Sequence, residues 1–445
     1  MINRRMRSSS LLNTKRSGRT SVSMLIAFVA VAALGVLLSF GWRSSDTQQG
    51  IDALASSPVA SPSPVPSQFR TIFSSFTFDR SVTQADAQRS INSFVPGQGI
   101  TAQYPVDVYT LSIEISVEDG SYSPVKALVF VPKATSSAER FPLLVYAAGT
   151  TGLDDRCAPS RENQARTSFG NYINQMTSQA SQGFVVMMPN YEGLDNPDRL
   201  QYYFSADLEA RVLLGTAREL LRARPTQTLP IQKNTLFFGG YSQGGHASFA
   251  AADFSKLYTP DLKISGIIGH GPTTNLYEFL KDNPNLAPYL MYAFHAYYPD
   301  FTPQDILTEN ELRRLPRARE LCVDQAFQYN TTNQKLMYNA QFLEALLGGT
   351  VPDKYPAIAR RLEQNTTGLY YEGIPTFIVQ GDRDPIVTLE SQKQFADQLC
   401  ENNVPVTFAE YKNLDHFQSR MRSFKDTSDW IRKIANNQPV EKLCN

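Results

Sequence analysis

The sequence predicts an α/β fold: a mostly parallel open sheet with flanking helices and a helical cap inserted late in the chain. Three observations carry this. Four short apolar runs, Leu143–Ala147, Phe184–Met188, Thr235–Phe238 and Ile264–Ile268, lack the polar alternation of half-exposed strands and so suit strands buried on both faces. Helical patterns are interleaved with runs of this kind. Over a hundred residues separate Ile268 from the next such run, Thr376–Val379, where a crossover needs only about a dozen.

At the N-terminus, residues 24–42 (MLIAFVAVAALGVLLSFGW) form an uncharged, mostly apolar run. As a helix it would extend roughly 29 Å, close to the thickness of a bilayer core. Six basic residues and no acidic one lie within 1–42. The chain total of 42 basic and 42 acidic side chains therefore leaves 36 against 42, a net of −6, for the remainder. Such a body has no broad electrostatic footprint for nucleic acid. No small-x-small cleavage site follows the run at once; Ala53-Leu54-Ala55 is the nearest candidate. A signal anchor with a cytoplasmic N-terminus is favoured over a cleaved signal peptide, and both put the body outside the cytoplasm. Residues 43–68 form a linker whose stretch 56–67 (SSPVASPSPVPS) reads as a semi-extended tether. The globular body is expected over 69–445, with the cap at about 272–373.

Within the body, Leu111–Val117 alternates apolar and polar, and Lys126–Val131 answers it across Asp119-Gly120, predicting a hairpin. Between the second and third apolar runs, Leu208, Val212, Gly215 and Leu221 fall near one helical face, with Asp207 and Glu209 in the first turn, where the helix dipole favours them. The gap holds eight aromatics over 277–301: Tyr277, Phe279, Tyr289, Tyr292, Phe294, Tyr297, Tyr298 and Phe301. They suit the small core of a cap, and several of them a groove for an apolar ligand. After Thr376–Val379 come a helix around Leu389–Leu399, a strand at Val406–Tyr411 and a last helix over about Gln418–Ile434. Four cysteines in an exported chain suggest two disulfides; of three possible pairings, their positions favour Cys157–Cys322 and Cys400–Cys444. Their spacings do not match a zinc site, and no metal or cofactor is expected.

The strongest local signal is Gly240-Tyr241-Ser242-Gln243-Gly244, which follows the strand Leu236-Phe237-Phe238 and precedes a small-residue helix. That context is what the G-x-S-x-G nucleophile elbow of an α/β-hydrolase fold demands. A serine nucleophile needs a base, and the base needs an orienting acid, in the chain order Ser…Asp/Glu…His. Only four histidines exist. His246 lies on the helix just after the serine, where it would pack or tune the site. His270 precedes any suitable acid, and His295 sits in the cap. His416, after the strand Val406–Tyr411, is the candidate base. Of the two carboxylates in Gly381-Asp382-Arg383-Asp384, Asp384 is the candidate acid and Asp382 the runner-up; Asp415, adjacent to His416, suits a helix cap. Backbone donors for an oxyanion should come from Gln243 and from the loop Ala148-Gly149-Thr150-Thr151-Gly152, with Thr150 preferred.

Three segments carry a resemblance to the secretory lipase family of α/β-hydrolases. They are Gly149-Thr150-Thr151-Gly152-Leu153 running into Cys157-Ala158-Pro159-Ser160, then Asn190-Tyr191-Glu192-Gly193-Leu194, then Gly240 to Gly245. The resemblance spans about residues 105–435. It implies a hydrolase of carboxylic esters, often triacylglycerols, with Ser242, Asp384 and His416 as its triad and a helical lid. It also implies that Cys157 ties the oxyanion loop to the insertion. Many relatives carry His-Gly where this chain has Ala148-Gly149, so support of that loop must differ. The expected partner is a small-molecule or lipid ester, with membrane contact through the N-terminal segment and no nucleic acid or obligate protein partner. A short-chain esterase, an acyltransferase, a peptidase and a non-catalytic binding module are the alternatives. Asn-x-Thr sequons stand at Asn330 and Asn365.

Overall fold

The computed structural model describes residues 69–162 and 169–444. The predicted membrane segment 24–42 and the linker lie outside them. Among the described residues no helix is long and apolar enough to cross a membrane.

Among the described residues nine strands form one sheet in the order β1-β2-β3-β5-β4-β6-β7-β8-β9. Strands β1 (Thr71–Val82), β2 (Val106–Ser116) and β3 (Tyr122–Pro132) pair antiparallel, and β3 joins β5 (Val185–Pro189) antiparallel. From β5 onward, β4 (Phe141–Ala147), β6 (Ile231–Tyr241), β7 (Ile264–His270), β8 (Thr376–Gly381) and β9 (Val406–Tyr411) run parallel. β4 and β5 are buried at every position, as continuous apolar runs between two helical layers require.

The predicted hairpin is longer than its alternation suggested, for a physical reason. In β2, Leu111, Ile113 and Ile115 face the layer packed by helix α3 (Ala206–Arg222), while Val106 and Val108 face the opposite layer. The apolar phase therefore flips within one strand, and a search for one-face alternation stops at the flip. β1 is absent from the sequence expectation because it is an edge strand, mostly half-buried or exposed, with too few buried side chains to show a period. Helices α1 (Gln84–Phe94) and α2 (Tyr172–Ser181) were also not predicted; α2 is polar in composition yet buried along its length.

Helix α4 (Gln243–Tyr258) follows β6 directly. Between β7 and β8 the chain forms the cap, short helices from α5 (Leu276–Asp282) to α12 (Pro356–Gln364). The cap has its own apolar cluster, which includes Phe279, Tyr289, Phe294, Tyr298 and Phe301 and reaches Tyr203, Phe204 and Leu153 of the hydrolase layer. Most of the aromatic run is thus cap core. Disulfide Cys157–Cys322 joins the loop after β4 to the cap, reinforced by Val323 N donating to Thr151 O at 2.8 Å; Cys400–Cys444 ties helix α13 (Leu389–Glu401) to the C-terminal segment.

The predicted last helix is in fact two, α14 (His416–Arg422) and α15 (Phe424–Ala435), divided at Ser423. The buried Ser423 hydroxyl bonds back to Arg420 O at 3.0 Å, a local bond that competes with the helix ladder. α14 instead serves as a separate short platform whose first residue is His416.

Candidate active site

Ser242 sits between β6 and α4 with φ 55° and ψ −113°, a conformation costing an L-residue about 1–3 kcal/mol. The neighbouring glycines explain how the chain makes so sharp a turn. A Cβ on Gly240 would lie 1.9 Å from Gly244 O, and one on Gly244 would lie 1.9 Å from Ala147 O. Strand and helix touch backbone to backbone, and only glycine allows that. The turn is held by Ser242 N donating to His270 O (3.0 Å) and by Thr273 N donating to Ser242 O (3.2 Å).

His416 Nδ1 lies 2.6 Å from Asp384 Oδ2. Asp384 is buried and also accepts from Gln380 Nε2 (3.2 Å), Ile386 N (2.8 Å) and Val387 N (2.9 Å). Four donors converge on its two oxygens, a set that an acceptor-only carboxylate satisfies. Asp382 points elsewhere, accepting from Asn413 N at 2.5 Å. Asp415 caps α14, accepting from Phe417 N and Gln418 N. The imidazole packs against Tyr241, ring centroids 4.6 Å apart. Its Nε2 is buried without a hydrogen-bond partner among the described residues, so no hydrogen bond joins it to Ser242 Oγ here. Such bonds are often long before substrate binds. Gly271, one residue past the His270 carbonyl that holds Ser242, packs against the imidazole: a Cβ there would lie 2.8 Å from His416 Nδ1.

The loop after β4 is fixed by tyrosines. Tyr172 Oη accepts from Gly149 N at 2.8 Å, and Tyr191 Oη donates to Ala148 O. Burial holds both hydroxyls above the usual tyrosine range, so both stay protonated. Thr150 Oγ1 pairs with Tyr203 Oη at 2.6 Å. Gly149 N is thus engaged by a hydroxyl, whereas Thr150 is held through its side chain. Gln243 N is the first amide of α4, a position with no intrahelical acceptor. These tyrosines were not singled out from sequence, although Tyr191 belongs to one of the segments that carry the resemblance.

The other histidines are engaged elsewhere. His270 is buried between Gly240 O and Thr427 Oγ1, and its pKa is lowered to about 3 by burial first and by the Arg420 cation second. His295 bonds Phe301 O inside the cap. His246 is buried between Glu209 and Asn365. The Asn365 sequon is inaccessible: its side chain is buried and bonded to Ala206 N and Tyr298 Oη. No cluster able to hold a metal ion occurs among the described residues.

A nucleophile elbow, an Asp–His pair after the last two strands and a cap after β7 define the α/β-hydrolase class. A family model described as secretory lipase matches residues 166–442, more than half of the chain. The chain belongs to the secretory lipase family. It is 23% identical over 271 residues to the secreted triacylglycerol lipase LIP4 of Malassezia furfur, covering 58% of this chain and 49% of that one. It thus spans about half the length of that relative. A Mycobacterium tuberculosis relative named a probable inactive lipase is 24% identical over 326 residues, 70% of each chain. The crystal structure of the rice cell wall degrading esterase LipA of Xanthomonas oryzae shares the fold at TM-score 0.65 and 15% identity, over 82% of this chain and 97% of that one.

Proposed function

We propose that the chain is an exported serine hydrolase that cleaves carboxylic esters, with lipid acyl esters as the substrate class. The observation that carries this is the His416–Asp384 pair, whose remaining ring nitrogen is buried without a hydrogen-bond partner among the described residues, together with the strained serine at the elbow. In the reaction, His416 Nε2 takes the Ser242 hydroxyl proton as Oγ attacks the ester carbonyl. Asp384 fixes the imidazole orientation and stabilises the imidazolium. The amides of Gln243 and Thr150 receive the developing oxyanion. His416 then protonates the leaving alcohol, and water repeats the sequence to release the acid and free Ser242. A cap with an apolar interior supports an acyl substrate, and two disulfides support an oxidising, extracytoplasmic location.

The test is Ser242→Ala. Ester hydrolysis and labelling by a fluorophosphonate probe are expected in the parent and absent in the variant; undiminished hydrolysis by the variant refutes the assignment. A p-nitrophenyl ester series from acetate to palmitate fixes chain preference: strict preference for acetate would replace lipid esters by short-chain esters.

A further inference from the structure

A second carboxylate–imidazole pair lies buried behind the elbow. Glu209, on α3, accepts from Gln243 Nε2 at 2.8 Å through Oε1, and its Oε2 lies 2.6 Å from His246 Nδ1. His246 Nε2 lies 2.7 Å from Asn365 O. A carbonyl only accepts, so Nε2 carries a proton. A second proton must then sit between Nδ1 and Oε2, because neither atom otherwise has a donor to offer the other. All four residues are buried.

The chain of bonds closes on itself. Asn365 follows the last cap helix, where the chain turns back toward the sheet. Its Oδ1 accepts from Ala206 N, the first residue of the helix that carries Glu209, and its Nδ2 donates to Tyr298 Oη inside the cap. Gln243, at the other end, supplies the first amide after the nucleophile.

We propose that Glu209 and His246 are positioning residues: they lock the first turn of the nucleophile helix to Asn365 at the closing end of the cap, and so set the Gln243 amide for the oxyanion. This rests on the ester-hydrolase reading above. Burial chiefly, and the Glu209 charge after it, raise the pKa of Tyr191 and Tyr203, which places that charge near two hydroxyls bonded to the facing oxyanion loop. One carboxylate thus borders the supports of both oxyanion amides.

The experiment compares kcat and KM for p-nitrophenyl butyrate in the full chain, its Glu209→Ala variant and its Glu209→Gln variant. Deleting an oxyanion donor costs about a hundredfold to a thousandfold, so displacing one should cost part of that. Glu209→Ala is expected to lower kcat about tenfold to a hundredfold with KM little changed. Glu209→Gln can still accept from Gln243 and donate to a neutral His246, and should recover most of the loss. Unchanged kcat in Glu209→Ala, a loss confined to KM, or a Glu209→Gln variant as slow as Glu209→Ala each overturns the proposal. If Glu209→Ala does not accumulate folded, Gln243→Met removes only the donor to Glu209; a lower kcat supports the proposal and an unchanged one overturns it. Fluorophosphonate labelling of the parent separates the two levels. A labelled parent with unaffected variants defeats only the positioning role, whereas an unlabelled, inactive parent defeats the ester-hydrolase reading and this one with it.

Discussion

Gly271→Ala isolates the geometry of the proposed base, His416, from its chemistry. Gly271 has φ +49°, and its added Cβ would stand 2.8 Å from His416 Nδ1, 2.9 Å from Cε1 and 3.3 Å from Asp384 Oδ2. Ordinary contact begins near 3.4 Å, so the imidazole must retreat by 3.4 − 2.8, about 0.6 Å. A misplacement of about 1 Å can cost a hundredfold in rate, so kcat should fall about tenfold or somewhat more. The left-handed backbone adds a stability cost of about 1–2 kcal/mol. Gly349→Ala supplies the control: φ is +67° and nothing lies within 4 Å of its Cβ. Both variants should lose similar stability in chemical denaturation, but only Gly271→Ala should slow p-nitrophenyl butyrate hydrolysis. Equal kcat in the two variants refutes the steric argument.

Three further outcomes are expected. Asp384→Asn should lower kcat about ten-thousandfold, by analogy with removal of the orienting charge in serine hydrolases, while Asp382→Asn stays near the parent; the reverse order in a steady-state assay would exchange the two roles. Tyr172→Phe removes the acceptor for Gly149 N, a loss of about 1 kcal/mol, and should reduce kcat about fivefold without altering KM; an unchanged kcat would show that Tyr191 alone fixes the loop. His270 has its pKa lowered from 6.5 to about 3, so the unfolded chain binds a proton that the folded chain refuses as pH falls between those values. Its contribution to stability is whole above pH 6.5 and declines by about 1.4 kcal/mol per pH unit below it. In His270→Gln the stability gap to the parent should narrow by about 2 kcal/mol between pH 7 and 5; a constant gap in denaturant titrations contradicts this.

The parts legible in the sequence were those whose signal is local. Buried parallel strands show as uninterrupted apolar runs, and β9 appears with the bounds the sequence suggested. The elbow is legible because the close approach of β4, β6 and α4 forbids a side chain at Gly240 and Gly244. His416 followed from scarcity and chain order. What was not legible depends on contacts distant in sequence. β1 takes its place by pairing with β2, and α2 is buried by its layer, so neither needs a marked apolar period. The choice between Asp382 and Asp384 rests on two residues of offset, which a turn decides: Ile386 N and Val387 N reach Asp384 and hold it toward the imidazole. Glu209 looked like a dipole-compensating residue of a first turn. Only the packing of α3 on α4 reveals that its carboxylate is shared between Gln243 and His246.

The same distinction explains Ala148. Where many relatives of the family carry an imidazole, the sequence suggests a weakened oxyanion loop. Yet the loop has three hydroxyls on it: Tyr191 on Ala148 O, Tyr172 on Gly149 N and Tyr203 on Thr150 Oγ1. They arrive from different segments. Tyr172 opens α2, Tyr191 follows β5, and Tyr203 precedes α3. Ala148 itself is buried, and enlarging a side chain in a packed interior costs stability. Restoring histidine at this position should therefore harm the loop. Ala148→His is expected to lose stability by about 1–3 kcal/mol, as overpacking does, with no gain in kcat. A more active and equally stable variant, measured by denaturant titration and ester hydrolysis together, would mean that the tyrosines do not replace the missing imidazole.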